Sequence, residues 1–246
     1  DIQICIGDSA QLLASGGVSY LWTPSATLTD DTIANPMAFP TDTTEYIVNA
    51  TDINGCASSD TVSVIVNPLP SAFAGNDVAI CFGDTTTLTA TGGLNYSWSP
   101  TDSLSNSLND ITQAFPIITT EYIATVTDTN GCVQSDSIVV TVNELPIGDA
   151  VQDVTICIGD STQLNATGGD TYVWTPTTDL NDPNIADPWA TSIVSTNYVV
   201  LITDINGCTD TDTVLVTINN LPNISAGSDI QICIGDSAQL LASGGV

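Results

Sequence analysis

Cysteine and carboxylate are the side chains with chemical reach in this sequence. Lys, Arg and His are absent, and 28 Asp and Glu stand beside 7 Cys in 246 residues. The cysteines form two regular series. Cys5, Cys81, Cys157 and Cys233 each open a C-x-G-D cassette, and 81−5, 157−81 and 233−157 all equal 76. Cys56, Cys132 and Cys208 each end an Asn-Gly-Cys and keep the same interval. Thiols could hold a metal, carry redox chemistry or form disulfides. Metal ligation is the weak reading, because there is no His and no C-x-x-C. Two cysteines per short period suit structural staples in an oxidising, extracellular or cell-surface setting.

Catalysis has little to draw on. There is no imidazole base, no Schiff-base amine and no guanidinium clamp. A carboxylate pair is the chemistry of glycoside hydrolysis. A site of that kind repeated in every period of a small domain makes poor sense, so a non-enzyme is expected.

The acidic residues divide into two sets. Asp8, Asp84 and Asp160 share one column, as do Asp52, Asp128 and Asp204, and Asp60, Asp136 and Asp212. Turn and edge chemistry accounts for recurring Asp of this kind. Asp30, Asp31, Asp182 and Asp187 lie instead in long loops, where calcium could take carboxylate, carbonyl and water oxygens. No D-x-D-x-D-G loop with a terminal Glu is present, so this calcium reading rests on composition. Ser9, Thr61, Ser137 and Thr213 each follow Asp and precede a small or apolar residue. Two readings stand for them, turn chemistry and O-glycosylation.

The spacing requires an array of similar elements to position these groups. Each cassette leads to Gly-Gly and then to an aromatic strand: Tyr20-Leu21-Trp22-Thr23-Pro24, Tyr96-Ser97-Trp98-Ser99-Pro100 and Tyr172-Val173-Trp174-Thr175-Pro176. A fourth cassette closes with Gly244-Gly245. Self-similarity at a fixed period is the mark of a repeat architecture. Short Pro-containing joins such as Asn67-Pro68-Leu69-Pro70 divide it into repeats at 1–70, 71–146, 147–222 and a partial 223–246. Asp1–Val18 and Asp229–Val246 are identical, and 229−1 = 228 is three times 76, which suggests a three-repeat super-period in a longer parent.

Repeat 3 shows the strand plan. Strands are expected at Val154–Cys157, Ser161–Thr167, Tyr172–Thr175, Asn197–Thr203 and Thr213–Ile218, with an irregular stretch between Pro176 and Thr191. Asn206-Gly207 reads as a two-residue type I′ hairpin turn. No stretch has helical periodicity. The fold class is all-β: tandem immunoglobulin-like β-sandwiches of about 76 residues in an extended array. Trp22, Trp98 and Trp174 are expected in the cores, near the disulfides.

Cysteine pairing has two candidate parities, Cys5–Cys56 within a repeat or Cys56–Cys81 across a join. Cys56 begins the final strand, about 33 Å of extended chain from the join, while a disulfide needs Cα atoms within about 7 Å. A first strand beside the last would bring Cys5 to Cys56. The expected pairs are therefore Cys5–Cys56, Cys81–Cys132 and Cys157–Cys208, with the partner of Cys233 outside the sequence.

The formal charge of −28 excludes nucleic acid, since nothing neutralises phosphate, and disfavours an anionic membrane surface. No run of 18 apolar residues suggests insertion into a bilayer. Self-repulsion calls for salt screening or bound cations, and the Debye length is about 10 Å at 0.1 M. Disorder is the ordinary consequence of such charge, but 42 % hydrophobic residues in strand-like runs argue for packed cores.

The order C-x-G-D-[ST], G-G, Y-x-W-[ST]-P, [ST]-x-Y, T-D-x-N-G-C resembles the PKD-like and immunoglobulin-like repeats of giant surface proteins in Bacteroidota. The W-D-F-G-D-G signature of the narrower PKD group is absent. The resemblance implies export by type IX secretion and a part in gliding or adhesion, and near-exact repetition is similar to filament-forming adhesins, including grappling-hook filaments. It also implies that the Asp-Ser/Thr sites match an O-glycosylation signal. The expected function is a structural segment of a long extracellular filament or stalk that extends an adhesive or prey-capturing tip. The other reading is an adhesin whose repeats bind carbohydrate or cell-surface ligands. Strand Tyr198–Ile202 is apolar on both faces, and Val139 and Leu215 point outward, so other copies of the chain are expected partners by lateral bundling.

Overall fold

A computed structural model describes residues 1–244, and Gly245 of the last Gly-Gly pair lies outside them. All regular structure among these residues is β-strand. The chain forms two compact units, 1–142 with the first two repeats and 143–246 with the third and the partial fourth.

Each of the three full repeats builds the same four-stranded sheet. In repeat 1 the order runs Ile2–Cys5, Ala57–Asn67, Thr44–Thr51, Ser19–Thr23. The last three strands pair antiparallel, whereas Ile2–Cys5 runs parallel to the final strand, with Ile2 opposite Val64 and Cys5 opposite Asn67. Repeat 3 keeps this register, with Val154 opposite Val216 and Cys157 opposite Asn219. Short strands make the opposing sheet. In repeat 2 these are Thr86–Thr89 and Ile111–Ala114; in repeat 3, Asp149–Ala150 pairs with Ala166–Thr167, and Thr162–Gln163 with Trp189–Ala190. The expected continuous strand Ser161–Thr167 is thus broken into two pieces, each paired to a different partner.

Period-two alternation supplies the cores. In Thr196–Thr203, Tyr198, Val200 and Ile202 are buried, and Val214 and Val216 meet them from the final strand. Trp174 joins them from the adjacent strand of the same sheet, and Leu164 and Ala166 close the other side. Repeats 1 and 2 repeat the plan around Trp22 with Tyr46 and around Trp98 with Tyr122. Each core is separate and contains no cysteine.

The segments that lead into repeats 2 and 3 dock on their sandwiches. Asp136 accepts the Ala74 amide at 2.9 Å, and Asp212 accepts the Ala150 amide at 2.8 Å. The Gly-Gly turns make room for these segments. A Cβ on Gly92 would stand 2.0 Å from the Ser71 carbonyl oxygen, and one on Gly168 would stand 2.0 Å from that of Ile147. Gly16 has the same positive φ, 91°, but nothing lies within 4 Å. Gly16→Ala therefore meets only the left-handed backbone cost of about 1–2 kcal/mol. Gly92→Ala adds the displacement of Ser71–Ala72, so it is expected to cost about 1–3 kcal/mol more in urea unfolding. Equal effects would show that docking contributes nothing there.

Candidate functional site

The chemistry of this chain is concentrated at the two poles of each sandwich, where the cysteines sit. At one pole the first strand ends in a tight turn. The Asp8 amide donates to the Cys5 carbonyl at 3.0 Å, Gly7 has φ 93°, and the Ile6 amide donates to the Asn67 carbonyl at 2.9 Å. Repeat 3 reproduces this at Cys157: Asp160 to Cys157 at 3.1 Å, Gly159 at φ 95°, Ile158 to Asn219 at 2.8 Å. Positive φ is why glycine occupies this position.

At the other pole the Asn-Gly-Cys hairpin is held by an aspartate. Asp52 Oδ1 accepts the amides of Asn54 and Cys56, both at 2.8 Å. Asp128 does the same for Asn130 and Cys132, and Asp204 for Asn206 and Cys208. The amide of Cys56, more than that of Asn54, holds the Asp52 carboxyl below the ordinary carboxylate range. The expected type I′ turn does not form. Only the glycine, at φ 81°, 82° or 83°, takes positive φ, and each Gly amide donates to the Asp carbonyl three residues back. That is a four-residue turn whose last residue is the left-handed glycine, and in it asparagine keeps ordinary backbone.

The expected cysteine pairs are overturned. Cys5 is bonded to Cys132 of the following repeat, across 127 residues, with Cα atoms 5.6 Å apart. Cys81 and Cys208 are disulfide-bonded as well, while Cys56, Cys157 and Cys233 are exposed thiols. Cys5–Cys56, Cys81–Cys132 and Cys157–Cys208 are all excluded by this pattern. The first strand does lie beside the last, as expected, but parallel to it. Cys5 is therefore opposite Asn67, at the end of the final strand, while Cys56 precedes its start at Ala57. Eleven residues at about 3.3 Å each put roughly 36 Å between those ends, far beyond disulfide reach.

The remaining site residues fall outside any shared centre. Trp22, Trp98 and Trp174 are at most 2 % exposed and lie in cores without cysteine. Each indole Nε1 donates to a loop carbonyl eleven residues on, at Ile33, Asn109 and Ile185, at 2.9–3.0 Å. Tryptophan thus pins the irregular loop as well as filling the core. The calcium candidates serve their own loops. Asp30 Oδ1 accepts both the amide and the hydroxyl of Thr32, and its carboxyl is pushed down chiefly by that hydroxyl. The Asp31 carbonyl accepts the Trp22 amide, Asp182 accepts the Asn184 amide, and Asp187 accepts from Gln163. No group of three or more His, Cys, Asp or Glu side chains converges among the described residues. Ser9, Thr61, Ser137 and Thr213 are all exposed.

Two positioning roles emerge only with the fold. Tyr20, Tyr96 and Tyr172 donate their hydroxyls to the carbonyls of Gly17, Gly93 and Gly169 at 2.8–2.9 Å, which clamps the Gly-Gly turns. The second is the grip of Asp136 and Asp212 on the leading segment. Its signal was an Asp 62 residues after a recurring Ala, a separation too long to suggest contact without a fold.

Topology and cores define a chain of immunoglobulin-like β-sandwiches. No family model and no curated protein matches the sequence. Among solved structures the chain is similar to Sidekick-1 immunoglobulin domains 1–4, at 14 % identity, 89 % of this chain, 73 % of that one and a TM-score of 0.35. The I9–I11 tandem of titin matches at 11 % identity, 89 % and 96 % coverage and a TM-score of 0.36. The insect immune protein hemolin matches at 14 %, 88 % and 73 %, with a TM-score of 0.34. Among the described residues no helix is long and apolar enough to cross a membrane.

Proposed function

We propose that this chain is a structural segment of a long extracellular filament or stalk that holds an adhesive or prey-capturing tip away from a bacterial surface. The observation that carries this reading is the Cys5–Cys132 bond, which joins two successive sandwiches rather than closing one. A bond inside a repeat protects that repeat; a bond between repeats lets tension bypass the fold of each. Disulfides persist in oxidising surroundings, which favours an extracellular setting. The fixed period, and the identity of Asp1–Val18 with Asp229–Val246, favour a device whose length is set by repetition. The family resemblance adds export by type IX secretion and other copies of the chain as lateral partners. O-glycans are accessories of the same reading, and the exposed hydroxyls of Ser9, Thr61, Ser137 and Thr213 leave room for them.

Electron microscopy of the purified parent polypeptide is the test, and it should show a beaded filament. Compact particles, or strong and selective binding of the three-repeat chain on a glycan array, would favour repeats that are themselves the adhesive modules.

A further inference from the structure

Cys56 and Cys157 are exposed thiols, whereas Cys5 and Cys81 of the one series and Cys132 and Cys208 of the other are bonded. Cys157 ends its first strand in the same register, the same turn and the same hydrogen bonds as Cys5. Cys56 stands on the same Asp-held hairpin as Cys132. One thiol is thus the counterpart of each half of the Cys5–Cys132 bond.

A second feature of repeat 1 points the same way. Asp60 occupies the column of Asp136 and Asp212, which grip Ala74 and Ala150. Asp60 instead lines an open groove of about 230 Å³ with Leu13, Ala14, Trp22, Val48 and Ala50. The corresponding surface of repeats 2 and 3 is covered by their leading segments. Ala226 is the next member of the Ala74 and Ala150 series, since 226−150 = 76.

We infer that Cys157 forms a disulfide with Cys56 of a second copy of this sequence joined in register, and that Asn223–Gly227 of the first copy fills the repeat 1 groove of the second, the Ala226 amide meeting Asp60. The two thiols lose two protons and two electrons. A small-molecule disulfide such as oxidised glutathione accepts them and leaves as two thiols. The join is in register because position 229 restarts position 1.

The consequence is mechanical. The covalent path runs through the Cys5–Cys132 bond, along the chain from Cys132 to Cys157, and through the new bond. Since 157−132 = 25 and two periods give 2 × 76 = 152, a stapled array keeps about one sixth of the slack that unfolding would release from an unbonded one.

The test is a concatemer of residues 1–228 followed by the full 246-residue chain, refolded in a glutathione redox buffer. The inference does not rest on the proposed filament, so its failure would leave that reading standing. Peptide mapping without reduction, using cleavage at Asp because no tryptic site exists, is expected to link Cys157 of the first copy to Cys56 of the second. Thiol alkylation should find three free cysteines: Cys56 of the first copy, and Cys157 and Cys233 of the second. Cys56→Ser in the second copy alone should free Cys157 of the first, while the Cys5–Cys132 link persists in both copies. Five free thiols in the folded parent concatemer, or Cys157 linked to any other cysteine, overturns the inference.

Discussion

Replacing Cys5 and Cys132 together with serine is expected to destabilise the first two repeats by about 2–5 kcal/mol. The bond closes 127 residues. The chain-entropy model assigns about 5 kcal/mol to a loop of that length, and measured disulfides usually deliver somewhat less. A small domain is stable by only about 0.05–0.15 kcal/mol per residue, so the loss is a large share of the total. Urea unfolding followed by tryptophan fluorescence reads it directly. Cys56→Ser is the control. That thiol is exposed and unbonded, so its loss should fall within about 0.5 kcal/mol. If Cys56→Ser matched the double variant, the bond between repeats would not be what stabilises this unit. The double variant should also let repeats 1 and 2 unfold more independently, because their cores share no residue.

Trp174→Ala is expected to cost about 3–5 kcal/mol, enough to bring repeat 3 near its unfolding threshold. The indole is fully buried among Leu164, Tyr198, Val200 and Val214. It also supplies the hydrogen bond to the Ile185 carbonyl at 3.0 Å that holds the loop. Trp174→Phe separates the two contributions. It keeps most of the apolar contact but leaves that carbonyl without its donor, a loss of about 1–3 kcal/mol. Trp189, 46 % exposed on a short edge strand, tolerates alanine with a much smaller loss. Thermal unfolding by circular dichroism ranks the three variants. A ranking with Trp189→Ala worst would contradict the core assignment.

Some of this is legible in the sequence. Alternation in Asn197–Thr203 and Thr213–Ile218 marks strands with one buried face, because successive side chains must point to opposite sides of a sheet. The regular beat of Cys, Gly-Gly and Trp marks a repeated unit. The recurring Asp52, Asp128 and Asp204 columns mark turns, since a short carboxylate reaches amides two and four residues on without help from distant chain.

The pole residues were less legible. The grip of Asp136 on Ala74 spans 62 residues and depends on where the leading segment comes to rest. The loop carboxylates Asp30 and Asp182 read as candidate ligands because composition says nothing about what their oxygens already accept. The Asn-Gly turn type depended on one backbone angle at asparagine that the dipeptide leaves open.

The sequence alone determined the repeat, the long strands and the tryptophan cores. It did not determine which cysteines meet. Side chains alternate in the same way whether a strand runs parallel or antiparallel to its neighbour, so the direction of Ile2–Cys5 leaves no trace in its pattern. That direction is fixed by the non-local pairing of Ile2 with Val64 and Cys5 with Asn67. Through it the tertiary structure carries Cys5 to the far pole, out of reach of Cys56 and within 5.6 Å of Cys132 in the next repeat.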